Sequence, residues 1–122
     1  MKRSIFGALV VALYLGMSAP AFAHANLASA SPATGATVQT PPTEVTITFT
    51  EEVVAKFSGI EVIDANGKRV DQGAAHTVAD NEKLLSVGLR PLAPGVYRVS
   101  WHATAADDSH KTKGTFEFTF KP

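Results

Sequence analysis

An all-β sandwich is predicted by three observations on this sequence. Apolar and polar residues alternate along several short stretches. Pro, Gly and an Asn-Gly pair punctuate those stretches, and nothing after residue 23 reads as a convincing helix. Six or seven short strands in roughly 100 residues, with turns between them, imply two packed sheets of immunoglobulin-like type.

Each element has its own justification. Residues 43–50 (TEVTITFT) alternate strictly, with Val45, Ile47 and Phe49 on one face and Thr46, Thr48 and Thr50 on the other. Residues 58–63 hold a second strand. Asp64-Ala65-Asn66-Gly67 then turns the chain into Lys68-Arg69-Val70, and the Asn-Gly pair suits a hairpin because both residues tolerate positive φ. Residues 83–89 keep Leu85, Val87 and Leu89 in phase. Residues 95–102 place Tyr97, Val99 and Trp101 on one face and His102 on the other. Residues 115–120 align Phe116, Phe118 and Phe120. The stretch Leu92-Ala93-Pro94-Gly95-Val96-Tyr97 fits a tyrosine corner, in which the phenol bonds back to the preceding turn.

The front of the chain is read as a leader. Lys2 and Arg3 form a positive n-region, residues 5–17 a short apolar core, and Ala21-Phe22-Ala23 an A-x-A cleavage site after Pro20. The expected organisation is a signal peptide over 1–23 and one sandwich domain over 24–122. The mature chain would then have 122 − 23 = 99 residues and begin at His24.

Composition narrows the partners. The mature part carries 11 − 2 = 9 Lys+Arg against 11 Asp+Glu and has no basic stripe, which argues against nucleic acid. There is no cysteine, and both methionines, Met1 and Met17, fall in the leader. The mature chain therefore offers neither thiol nor thioether to a metal.

It does offer nitrogen. A histidine at a free N-terminus can grip one ion through its α-amine and its imidazole Nδ1 together. Asp108 and His110 flank Ser109 between the last two strands. In extended backbone, residues i and i+2 project to the same side. Three nitrogens from His24 and His110, with one oxygen from Asp108, suit Cu(II); Zn(II) takes similar donors in a tetrahedral shell. The amine must be deprotonated to bind, and its free pKa is about 7.7–8.0, so affinity should weaken as pH falls. Taken alone, Asp-x-His is equally a solvated loop pair, and His24 equally a terminal residue with no role.

Further residues carry a resemblance. They are His24-Ala25, Ser31-Pro32-Ala33, Thr48-Phe49-Thr50-Glu51, Lys56-Phe57-Ser58-Gly59, Pro94-Gly95-Val96-Tyr97, Val99-Ser100-Trp101 and Asp108-Ser109-His110-Lys111. Spread over the whole mature region, they make the chain resemble the CopC-type periplasmic copper-binding proteins. The resemblance implies a Greek-key sandwich and a metal site of His24, Asp108 and His110, with Glu51 orienting the ligands. It implies no catalysis: a Cu(II) carrier for copper resistance and homeostasis, with an inner-membrane transporter of CopD type as a partner to which copper could pass. Nothing suggests an obligate interface, so a monomer is expected. Some members hold Cu(I) in a Met-rich loop, which this chain lacks. Asn26 removes a competing chelate that a histidine in that position would have formed.

The rival reading is a copper-dependent oxidative enzyme of lytic polysaccharide monooxygenase type, which also uses an N-terminal histidine. Those enzymes are usually much larger, and this chain has few residues to build a flat binding face. His102, opposite Trp101, and His76, in the loop after Gly73, are read as surface histidines. Trp101 is assigned to the core.

Overall fold

The alternation of residues 43–50 determines which side of the chain is inside. Val45, Ile47 and Phe49 are fully buried while Thr46 and Thr48 are only partly covered. The computed structural model describes residues 24–78 and 80–122, so the expected leader lies outside the described residues. In chain order the strands are β1 (Leu27–Ser31), β2 (Thr37–Val38), β3 (Glu44–Phe49), β4 (Gly59–Ile63), β5 (His76–Val78), β6 (Asn81–Gly88), β7 (Gly95–Thr104) and β8 (Lys111–Phe120). One short 3-10 turn, Ala55–Phe57, precedes β4.

The strands form two four-stranded sheets, ordered β1-β3-β6-β5 and β2-β8-β7-β4. This is the constant-type immunoglobulin pattern with its first strand divided. The first part, β1, runs antiparallel to β3, and the second part, β2, runs parallel to the end of β8. Among the described residues the division makes eight strands where about seven were expected.

The inward faces interlock. Val45 faces Val87 and Ile47 faces Leu85 within one sheet; Tyr97 faces Phe118 and Val99 faces Phe116 within the other. Phe49 meets Trp101 edge to face across the sheets, with ring centroids 5.3 Å apart. Trp101 lies opposite Gly114, and a Cβ added there would approach the indole to 2.7 Å. Glycine at 114 is thus the space the indole occupies. The tyrosine corner is present: the Tyr97 hydroxyl donates to the Ala93 carbonyl.

Strand lengths depart from expectation. β7 runs to Thr104 and β8 begins at Lys111, so their ladder covers ten residue pairs, from Gly95–Phe120 to Thr104–Lys111. The alternation of apolar residues fades beyond His102 and before Thr115, although the backbone pairing continues. The hairpin after Asn66-Gly67 is shorter than expected. Gly67 turns at φ +83°, but only Ile63 and Arg69 then pair as an isolated bridge. Asp71 provides the reason. Its buried carboxylate accepts from the Val62 N–H (2.8 Å), the Gly73 N–H (3.0 Å) and the Arg69 guanidinium (2.8 and 3.1 Å). Past the Val70 N–H to Val62 carbonyl bond (2.8 Å), a side chain takes the place of the backbone ladder. Burial alone would push this carboxyl upward, but the hydrogen bonds from Arg69, Val62 and Gly73, with the Arg69 charge, hold its pKa below the usual carboxylate value.

Candidate metal centre

Residues 24–26 close one end of the sandwich, held from both sheets. From the end of β3, the Thr50 hydroxyl donates to the His24 carbonyl at 2.7 Å and the Thr50 N–H to the Asn26 carbonyl at 2.8 Å. The Asn26 N–H returns to the Thr50 hydroxyl at 3.1 Å. From the start of β8, the Thr112 hydroxyl donates to the Ala25 carbonyl at 2.6 Å. Ala25 is fully buried, small enough to pass between the layers. The backbone of His24 is therefore fixed before any ligand is considered.

The second half of the centre comes from the loop joining β7 to β8. The Ala105 N–H donates to the His110 carbonyl and the Ser109 N–H to the Ala105 carbonyl. Ser109 has φ +60°, a left-handed conformation. The chain is therefore not extended through Asp108-Ser109-His110. The expected same-side projection by strand alternation does not hold. Instead Asp108 Oδ1 accepts from the His110 N–H at 2.9 Å, an Asx-type contact that steadies the loop.

These two anchored pieces bring the histidines together. The His24 and His110 rings are stacked, with centroids 3.9 Å apart and planes inclined by 29°. Two metal–nitrogen bonds of about 2 Å each span donors up to about 4 Å apart, and the ring centroids stand at a comparable spacing. His24 Nδ1 is shielded from solvent, whereas His110 is exposed. Among the described residues, no three His, Asp or Glu side chains gather closely enough to hold a metal ion by themselves. Two imidazoles meet, and Asp108 is engaged with the backbone beside one of them.

Glu51 follows the Thr50 clamp and lines a shallow hollow of about 200 Å3 with Glu52, Lys83, Ala106 and Asp107. His102 and His76 are both exposed; His102 lies on β7 as its strand phase indicated, whereas His76, expected in a loop, is the first residue of β5. Sequence reading missed the anchors Thr50 and Thr112. For Thr112 a signal existed: it shares the inward phase of Phe116, Phe118 and Phe120, where a polar residue needs a partner.

Known proteins resemble this one along nearly its whole length. Protein YobA of Escherichia coli K12 is 33% identical over 120 residues, covering 98% of this chain and 96% of that protein. The crystal structure of CopC from Methylosinus trichosporium OB3b superposes with a TM-score of 0.76 at 32% identity, covering 81% of this chain and 95% of the other. That of PcoC, a methionine-rich copper resistance protein from Escherichia coli, gives 0.71 at 30% identity, covering 81% and 100%. Residues 27–121 match the CopC domain, and the chain belongs to that family.

Proposed function

We propose that this protein holds Cu(II) outside the cytoplasmic membrane, in copper resistance or homeostasis. The observation that carries the reading is the meeting of the His24 and His110 rings at 3.9 Å, each on a separately anchored segment. Copper is familiar to the family: the solved PcoC relative is a copper resistance protein by name. CopC proteins bind rather than catalyse, and this chain is not an enzyme.

In this reading His24 supplies its amine and Nδ1, His110 a ring nitrogen and Asp108 a carboxylate oxygen. With two imidazoles and one carboxylate as side-chain donors, the α-amine completes a four-donor set. Cleavage after Ala23 creates that amine; before cleavage the His24 nitrogen is an amide and cannot serve. Asp108 has two oxygens, and the one not bonded to the His110 N–H is the donor assigned here. Glu51 acts on the ligands from outside the shell. Nitrogen and oxygen donors favour Cu(II), and a mature chain lacking Met and Cys has no soft ligands for Cu(I). The domain would work as a periplasmic monomer and pass copper to an inner-membrane transporter of CopD type.

The test is a Cu(II) titration followed by EPR on two chains, one beginning at His24 and one with an extra residue before it. The extended chain should bind far more weakly and show a changed nitrogen count. Equal affinities and spectra would remove the amine from the ligand set. His110→Ala should likewise lose affinity, by more than the ~10–100-fold typical of groups that merely support a ligand.

A further inference from the structure

Beside the metal centre lies a hollow of about 510 Å3, between the 3-10 turn Ala55–Phe57 and the outward face of β7 and β8. Lys56, Phe57, His102, Thr104 and Lys111 contribute to its lining, and no Asp or Glu does. Ser109 and Lys111, which flank His110 in sequence, both line it, so the hollow adjoins the candidate ligand.

Its floor is fixed by hydrogen bonds. The Thr104 hydroxyl donates to the Phe57 carbonyl at 3.0 Å, and the Thr104 N–H to the Ser58 hydroxyl at 3.1 Å. The Ser58 hydroxyl in turn donates to the Val54 carbonyl at 2.7 Å. The turn is thus pinned to β7, yet Phe57 points outward and is 59% exposed. Lys56 Nζ stands 5.9 Å from its ring centre. A large aromatic side chain held in solvent, on a pinned turn, with cations around it and no carboxylate, is the anatomy of a recognition surface.

We propose that this hollow docks an acidic segment of a partner protein, with Phe57 as the apolar anchor and Lys56 and Lys111 as the charged contacts. Charge complementarity selects the occupant: the lining offers cations and an aromatic face to a chain bearing carboxylates. Because the hollow borders His110, a segment seated there would lie next to the metal centre. The surface adds a partner to the copper reading, but its binding can be measured on the metal-free protein, so the two can fail separately.

The experiment titrates the metal-free chain, starting at His24, with a short Asp/Glu-rich peptide and with its Asn/Gln counterpart, followed by amide chemical shifts. The acidic peptide should shift residues of the turn, β7 and the start of β8, and should weaken as salt is raised. Lys56→Glu with Lys111→Glu should reduce its affinity on the order of tenfold or more, since two attractions become repulsions. Phe57→Ala should weaken it without restoring binding of the neutral peptide. All three residues are exposed, so the fold is expected to persist, and the unchanged shifts of β3 and β6 verify it. Equal binding of both peptides, shifts elsewhere, or indifference to charge reversal overturns the proposal. So does citrate binding as tightly as the peptide, which would make the hollow a site for small anions.

Discussion

The Thr112 hydroxyl donates to the Ala25 carbonyl at 2.6 Å, tying the start of the last strand to the residue after His24. Thr112→Val keeps the shape and removes the donor. The carbonyl of a buried residue then loses its partner, which costs about 1–2 kcal/mol. For a domain of this size that lowers Tm by roughly 4–8 °C per kcal/mol. Cu(II) affinity should fall too, because the segment carrying His24 is then held from the Thr50 side alone. A lower Tm with unchanged affinity would show that this anchor does not position the ligand.

Asp71 makes stability depend on acid. Its folded-state pKa is depressed, so its contribution is fully present above the ordinary Asp value of 3.8 and is lost as pH falls through the lower folded value. Asp71→Asn should cost about 1.5–3 kcal/mol at neutral pH, the range for hydrogen bonds to a charged group. The exposed side of its Arg69 pair adds little to that. Denaturant midpoints measured from pH 7 to below pH 4 should show the gap between wild type and variant narrowing at the acid end. A constant gap would contradict the assignment.

Gly114→Ala tests the space beneath Trp101. The new methyl would meet the indole at 2.7–3.0 Å, and overpacking of that kind costs about 1–3 kcal/mol. Indole fluorescence should shift as the ring moves. On a Trp101→Phe background the penalty should shrink, since the atoms that clash are absent. An equal penalty on both backgrounds would place the strain elsewhere.

Tyr97→Phe removes one hydrogen bond, to Ala93, and leaves the ring stacked on Phe118 at 5.4 Å. The expected loss is about 1 kcal/mol in chemical denaturation. Cu(II) binding should be unaffected, and a change in it would link the corner to the metal centre.

The carrier reading also predicts what copper loading does not do. With ascorbate, the loaded chain should give neither rapid peroxide nor oxidised polysaccharide. Either product would revive the oxidative alternative.

The central strands were legible because their burial is one-sided. Val45, Ile47 and Phe49 had to face inward together, and so did Tyr97, Val99 and Trp101. The edges were not. β2 has two residues and β5 three, too few for a period to register, and β1 buries none of its residues fully. His24 and His110 stood out in the sequence because a histidine after an expected cleavage site, and another one residue removed from an aspartate, are chemically conspicuous. The route that joins them did not, because it runs through two threonine hydroxyls and a positive φ at Ser109. Hydroxyl partners and single dihedrals leave little trace in composition or alternation.

The divided first strand has a consequence for how the molecule behaves in a crowd. β2 pairs with Thr119 and Phe120, the Gly35 N–H reaches the Glu117 carbonyl at 2.7 Å, and among the described residues no strand lies beside the part of β8 before Glu117 on that side. A stretch of open backbone is thus available to any extended chain that drifts past. Lys111 and Lys113 stand along it, so a second copy adding itself there in parallel register would bring like charges face to face. Like charges on that border disfavour self-pairing, which would let the protein reach high concentration without assembling into fibres.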